Sequence, residues 1–278
     1  MKITIIGAGN MGGALAKGWY KAVGISSECN NCQDALIQRA SDICVTARTQ
    51  ATISRIETEA PGIRTSSSNA DAVSDADIIV LAVKPWLVES VASEIAPVIN
   101  PQKQLVCSVA AGVTTEQLTA YLGQKQKAPV SCFYVMPNIA AEFGASMSFI
   151  APSAQTDARQ TEMVERLFRL VGDTKVCEEK MIGPGMMMAG CGIAYVMRFI
   201  RAQMEAGVEM GFYPKDALQI ALQTMDGAVQ LLRQTGAHPE AAIDKVTTPG
   251  GTTIKGLNEL DHAGFNSAVI RCLKAGLK

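Results

Sequence analysis

Histidine is nearly missing from this chain: His238 and His262 are the only two among 278 residues. No metal-ligand cluster and no Ser-His-Asp set is visible, which argues against zinc chemistry and serine hydrolysis. Net charge is lacking too. The 25 Lys+Arg nearly balance the 26 Asp+Glu, for a formal charge of −1, so there is no electrostatic footprint for nucleic acid. No apolar run reaches the ~18 residues of a membrane span, so no membrane partner is expected. The start, "MKITIIGAGN", has one Lys and a short apolar run, but Gly-rich sequence follows where a signal peptide would have its cleavage site. It reads as a buried first strand, and the protein as cytoplasmic. Internal repeats and low-complexity linkers are also missing.

Apolar residues make up 48 % of the chain, enough for one large domain or two smaller ones with real cores. Eight cysteines are scattered, several within apolar runs, and suit reduced, buried thiols in a cytosolic protein. Cys29 and Cys32 have C-x-x-C spacing but no second pair, which is thin support for a zinc or redox site.

Short apolar runs recur through the first half: "ITII" (3–6), "ICVT" (43–46), "DIIVLAV" (77–83), "QLVCSV" (104–109) and "VSCFYVM" (130–136). Helical patterns such as "GGALAKGWYKAV" and "ATISRIETEA" separate them. Strands alternating with helices imply an α/β domain with a doubly wound parallel sheet. "SMSFIAP" and "TKVC" are candidates for further strands, ending near Cys177.

From Met181 the strand signal fades and long helical patterns take over. One of them, "PKDALQIALQTMDGAVQLLRQTGAHP", starts at Pro-Lys-Asp and stops at Gly236 and Pro239. Residues 1–180 and 181–278 are therefore expected to form an α/β domain and a helical domain. The helices across 186–235 are apolar enough to expect at least a homodimer.

"ITIIGAGNMGGALAKG" carries Gly7, Gly9 and Gly12 as G-x-G-x-x-G, after an apolar strand and at the opening of a helical pattern. That context is the one a dinucleotide site needs. Gly7 permits the tight turn, Gly9 lets the backbone approach a pyrophosphate, and Gly12 lets helix pack close on strand. The helix N-terminus offers free N–H groups to phosphate.

An NAD site usually has an acid at the end of the second strand. Here that end reads Thr46-Ala47-Arg48-Thr49, without an acid. An arginine with hydroxyls suits a 2′-phosphate, so NADP(H) is favoured over NAD(H). Asp34 would be the acid if the strand lay earlier, but "CNNCQD" makes a poor strand. Ala82, Val83, Lys84 and Pro85 should border the cofactor at the carboxyl rim of the sheet. "SVAAGV" (108–113, with Ala110) and "MPN" (136–138, with Asn138) belong to the same rim.

These pieces together resemble pyrroline-5-carboxylate reductase over almost the whole chain. The resemblance rests on "IGAGNMGGAL", "LAVKP", "SVAAGVT", "MPN" and, most specifically, "VTTPGGTTIKGLNELDHAGF". It implies a Rossmann-type doubly wound parallel sheet followed by an all-α dimerisation domain, with rings of dimers as a larger assembly. It implies reduction of 1-pyrroline-5-carboxylate to L-proline by NAD(P)H. It also implies a cofactor set that includes Asn10, Met11 and Asn69.

In "PGGTTIKGLNEL" a glycine turn precedes a helix whose unpaired N–H groups can grip a carboxylate. A plain helix cap by Thr252 or Thr253 is the competing reading. By the resemblance, Thr248, Gly250, Gly251, Thr252 and Thr253 contact the carboxylate, joined in the substrate set by Asn138. Thr253 lies near the ring nitrogen and is the candidate catalytic residue. Hydride transfer to a protonated imine needs alignment and a nearby donor or water, with no metal.

The chain departs from the family pattern at Ile139-Ala140, where Thr-Pro is usual, at "AGCGIAY" (189–195, including Gly190–Ile193), and at Arg201, where an acid is usual. These departures keep two alternatives open: a reductase of a related cyclic imino acid, and a catalytically weak NADP-binding regulatory relative. A β-hydroxyacid dehydrogenase would need its lysine on a long helix, and Lys180 precedes Met181-Ile182-Gly183-Pro184, a poor helix site.

Overall fold

The computed structural model describes residues 1–28, 36–123 and 128–277. Cys29, Cys32 and Asp34 lie outside the described residues. The chain divides into two compact units, Met1–Gly190 and Cys191–Lys278.

The first unit is built on one eight-stranded sheet in the order β3-β2-β1-β4-β5-β6-β7-β8. The strands are β1 (Ile3–Ile6), β2 (Ile43–Thr46), β3 (Arg64–Ser66), β4 (Ile78–Leu81), β5 (Leu105–Ser108), β6 (Ser131–Met136), β7 (Ser146–Pro152) and β8 (Gly172–Val176). The apolar runs of the sequence are the central strands. β1, β2, β4, β5 and β6 are buried at every residue, as a sheet covered on both faces requires. Every pairing is parallel except β6 with β7. A wholly parallel sheet was expected. β7 reverses because it follows β6 across a short link, and a parallel return would need a longer crossover.

Helices α1 (Asn10–Glu28), α2 (Gln50–Glu59), α3 (Asn69–Val73), α4 (Val88–Ile95), α5 (Thr115–Gly123) and α6 (Ala158–Arg169) connect the strands. One core layer joins β1 and β2 side chains to Leu15, Trp19, Ile56, Val164, Leu167 and Phe168, and the other joins Ile79, Leu81 and Val106 to Val88, Ile95, Leu118 and Leu122. Trp19 is fully buried; its indole N–H donates to the Leu167 carbonyl at 3.0 Å and its ring meets Phe168 edge-on. Buried thiols behave as small core residues: burial pushes Cys132 up to about 12 and Cys107 higher. Cys272 is exposed, and Cys177 and Cys191 are half-buried.

The change to helix begins where composition placed it, but the first turns stay with the sheet. α7 (Ile182–Gly185) and a π-helical stretch at Met186–Gly190 belong to the first unit. Ile182 joins a small core with Tyr134, Met136 and Ala151. Gly185 permits this: a Cβ there would stand 2.6 Å from the Phe149 ring.

The second unit holds α8 (Gly192–Glu209), α9 (Pro214–Thr235), α10 (Pro239–Lys245), α11 (Thr252–His262) and α12 (Phe265–Ala275). α9 runs between its Pro214 start and a left-handed Gly236 stop. α8 and α9 cross at Gly207 and Ala217, where a Cβ on Gly207 would lie 2.9 Å from that of Ala217. The buried positions among its described residues are Gly192, Gly207, Ala217 and Ala221, none with a large side chain. Val196, Met197, Leu218, Leu222, Val229 and Leu231 are all exposed. No described helix is long and apolar enough to cross a membrane.

Candidate functional site

The strand order reverses between β1 and β4, and the crevice beyond their carboxyl ends is where such sheets bind dinucleotides. The rim is continuous. Gly7 N donates to Thr46 O at 3.1 Å, Ala82 N to Ile6 O at 2.8 Å, and Val109 N to Leu81 O at 3.1 Å. The ends of β1, β2, β4 and β5 thus meet along one edge, which brings Gly7, Arg48, Ala82 and Ala110 to the same side of the sheet.

The three glycines differ in what they permit. Gly7 has φ +99°, and a Cβ on it would stand 2.8 Å from Ala82 O and 3.0 Å from Val83 Cγ1. On Gly12 a Cβ would fall 1.9 Å from Gly7 O, so glycine is what lets α1 seat against the turn. A Cβ on Gly9 would meet no protein atom within 4 Å. Packing within the chain therefore gives no reason for glycine at position 9, whereas a phosphate group resting on that backbone does. Asn10 opens α1 and is exposed, while Met11 turns partly into the core. The residues present fit a dinucleotide.

β2 ends at Thr46, in the register read from the sequence, and no acid follows it. Arg48 is exposed, with no hydrogen bond or ion pair among the described residues. Thr49 is the N-cap of α2: its hydroxyl accepts from Thr52 N at 3.3 Å and lies 2.9 Å from the Thr52 hydroxyl. Asn69 stands beside the same strand end, accepting from Thr46 Oγ1 at 2.6 Å and donating to Glu94 at 3.0 Å. Lys84 caps a 3₁₀ turn that runs Pro85–Leu87 and leaves Trp86 76 % exposed.

The loop after β5 is fastened from two sides. Gly112 N donates to the Tyr134 hydroxyl at 2.8 Å, and Thr115 donates twice to Glu179, from N at 3.1 Å and from Oγ1 at 2.5 Å. Burial raises the Tyr134 pKa, so this phenol stays neutral. This fastening was not legible in the sequence, because its partners are 22 and 64 residues apart.

Asn138 is 7 % exposed and engaged at both ends of its amide. Oδ1 accepts from Ala140 N at 3.0 Å and Nδ2 donates to Ala189 O at 3.3 Å. The structure gives it a loop-positioning role. Ile139 follows on a 3₁₀ helix and is 48 % exposed. Lys17 on α1 bridges Glu142 at 2.8 Å and Glu59 at 3.3 Å, and the Glu142 bond is the main cause of its raised pKa.

In the second unit the glycine turn precedes α11 as expected, but the cap differs. Gly251, not Thr252 or Thr253, is the N-cap, and no side chain bonds the helix start. The reason is geometric. Gly250 takes φ +70°, Gly251 N donates to Thr248 O at 2.9 Å, and a Cβ on Gly251 would stand 2.4 Å from Thr248 Oγ1. Thr247 spends its hydroxyl on Ile243 O at 2.7 Å. The hydroxyls of Thr248, Thr252 and Thr253 have no partner among the described residues. Three hydroxyls without partners beside an uncapped helix start form the kind of geometry that can receive an anion. Arg201, the departure on α8, pairs with Glu205 one turn on at 2.8 Å.

Comparison with known proteins bears on the whole chain. The family model described as pyrroline-5-carboxylate reductase dimerisation matches residues 179–278, and that described as NADP oxidoreductase coenzyme F420-dependent matches residues 2–112. The chain is 35 % identical to the pyrroline-5-carboxylate reductase of Methanosarcina acetivorans over 274 residues, covering 97 % of this chain and 94 % of the relative. The chain belongs to the pyrroline-5-carboxylate reductase family. It is 33 % identical to pyrroline-5-carboxylate reductase 1 of Dictyostelium discoideum over 280 residues, 97 % of this chain but 47 % of that one, so it spans about half that relative's length. A solved pyrroline-5-carboxylate reductase from Coxiella burnetii matches with a TM-score of 0.84 at 27 % identity, covering 99 % of this chain and 96 % of the other. Lys180 sits on one exposed 3₁₀ turn, paired with Glu178, and not on a long helix.

Proposed function

We propose that the chain is an NADPH-dependent reductase of 1-pyrroline-5-carboxylate, forming L-proline in the last step of proline biosynthesis. The observation that carries this is the uncapped start of α11 with the free hydroxyls of Thr248, Thr252 and Thr253, in a chain of this family. When bound, the nicotinamide supplies the hydride that reduces the C=N carbon.

The chain's own residues bind and align. The Gly7–Gly12 turn, Asn10 and Met11 hold the pyrophosphate. Arg48, Thr49 and Asn69 take the phosphorylated ribose, which selects NADP(H) over NAD(H). Ala82, Val83, Lys84, Pro85 and Ala110 border the crevice. The N–H groups after Gly251, with Thr248, Gly250, Thr252 and Thr253, grip the substrate carboxylate. Asn138 acts on substrate through the loop it positions. Thr253 orients the imine nitrogen, and no acid is required because a protonated imine is already electrophilic.

In this reading the first unit, Met1–Gly190, is the cofactor domain, and the second, Cys191–Lys278, is the helical dimerisation and substrate domain. The exposed apolar faces of α8 and α9 pack in a homodimer, which larger rings can use as their unit. The enzyme works in the cytoplasm, where thiols stay reduced. Oxidation of NADPH on adding the five-membered imine, with L-proline as product, tests the proposal. The changes at Ile139, Ala140 and Arg201 favour a second reading, reduction of a different cyclic imino acid. It predicts turnover with a six-membered or substituted ring and little with the five-membered one. NADPH binding without turnover of any of these would identify a regulatory relative.

A further inference from the structure

One part-buried contact, made by the exposed Arg55 near the cofactor crevice, has no part in the reading above. Arg55 Nη2 donates to the Ala8 carbonyl at 2.6 Å, across 47 residues of sequence. Ala8 is the residue between the first two glycines of the turn. The same Nη2 stands 3.8 Å from where a Cβ on Gly13 would be, so the guanidinium lies against the start of α1.

Arg55 lies six residues beyond the Thr49 cap on α2, and long helical side chains lean toward their helix N-terminus. Its guanidinium therefore spans from α2, the helix that Thr49 caps just after Arg48, to the glycine turn. A guanidinium has five N–H groups. One is used on Ala8, and Arg55 has no acidic partner among the described residues. Lys17, a near neighbour on α1, is by contrast neutralised by two glutamates.

We infer that Arg55 is a second specificity-determining cation for the 2′-phosphate of NADP(H), acting beside Arg48. The Ala8 bond fixes its guanidinium at the turn, and the remaining N–H groups face the anion. This rests on the cofactor reading above. Fixing one arginine by a backbone bond leaves less side-chain freedom to be lost on binding than at the free Arg48.

The test titrates 2′,5′-ADP, 5′-AMP, NADPH and NADH against wild type, Arg55→Leu and Arg55→Lys, with Arg48→Ala for scale. Arg55→Leu should weaken 2′,5′-ADP and NADPH about tenfold or more, the loss of a hydrogen bond to a charged group. It should leave 5′-AMP and NADH unchanged, and kcat at saturating NADPH should recover. Arg55→Lys should fall between, since a point charge keeps attraction but not the fork. Equal weakening of all four ligands would mean that Arg55 only props the turn, and no weakening would make it a surface charge; either overturns the inference. A wild type that binds 2′,5′-ADP no better than 5′-AMP would instead overturn the NADP reading itself, and Arg55 with it.

Discussion

Replacing Thr253 by alanine separates the structural role of the α11 start from its chemical one. Thr253 is the second residue of α11, with Gly251 as cap, and its hydroxyl has no partner among the described residues. The substitution therefore removes no hydrogen bond within the chain. Alanine is the better helix former, by roughly 0.5 kcal/mol, so stability should hold or rise slightly. Activity should not hold. A hydrogen bond to a charged group contributes about 1.5–3 kcal/mol. At about 1.4 kcal/mol per decade, kcat/KM should fall about 10- to 100-fold. NADPH affinity should stay the same, because the cofactor turn is in the other unit. Thr253→Ser keeps the hydroxyl and should recover much of the rate. The assay is a melting curve, an NADPH titration and steady-state kinetics on all three proteins. A Thr253→Ala enzyme with wild-type kcat/KM would remove Thr253 from the site. One that melts well below wild type would show a structural bond that the geometry lacks.

Arg48→Ala should raise KM for NADPH and spare NADH; equal loss of both would take the 2′-phosphate away from Arg48. Asp34→Ala is the matched control and should change neither cofactor, whereas a selective loss of NADH would point to an acid-bound ribose. Gly9→Ala should melt like wild type yet lose NADPH affinity, because its Cβ meets no protein atom, while Gly12→Ala should lower the melting temperature, because its Cβ collides with Gly7 O at 1.9 Å. Sedimentation at micromolar concentration should find a dimer, and a monomer there would refute the packing of α8 and α9 against a second copy.

The strands that hold the site were legible because each is a continuous apolar run: "ICVT" is β2 residue for residue. β3 was not, since Arg-Thr-Ser carries no apolar pattern and is recruited to the sheet edge by β2. The glycine turn was readable because its spacing encodes its geometry. The Gly251 cap was not, because Thr252 and Thr253 have the better capping chemistry and the turn at Gly250 decides otherwise. Arg55 on Ala8, Tyr134 on Gly112 and Glu179 on Thr115 join residues far apart in sequence, so no local window contains them. The sheet packing of 182–190 was hidden for the same reason: its composition is helical, and its partner is Phe149.

Among its described residues the second unit buries two glycines and two alanines and no large side chain. In the proposed dimer, its core is supplied by the other copy. Folding of this unit and association are then a single reaction, driven by mass action as much as by sequence. The melting temperature should climb with protein concentration. Dilution should unravel the helices while the sheet, with its self-contained core around Trp19, stays intact. A newly made chain would hold a finished cofactor unit before it has a finished substrate unit, and would become an enzyme on meeting its twin.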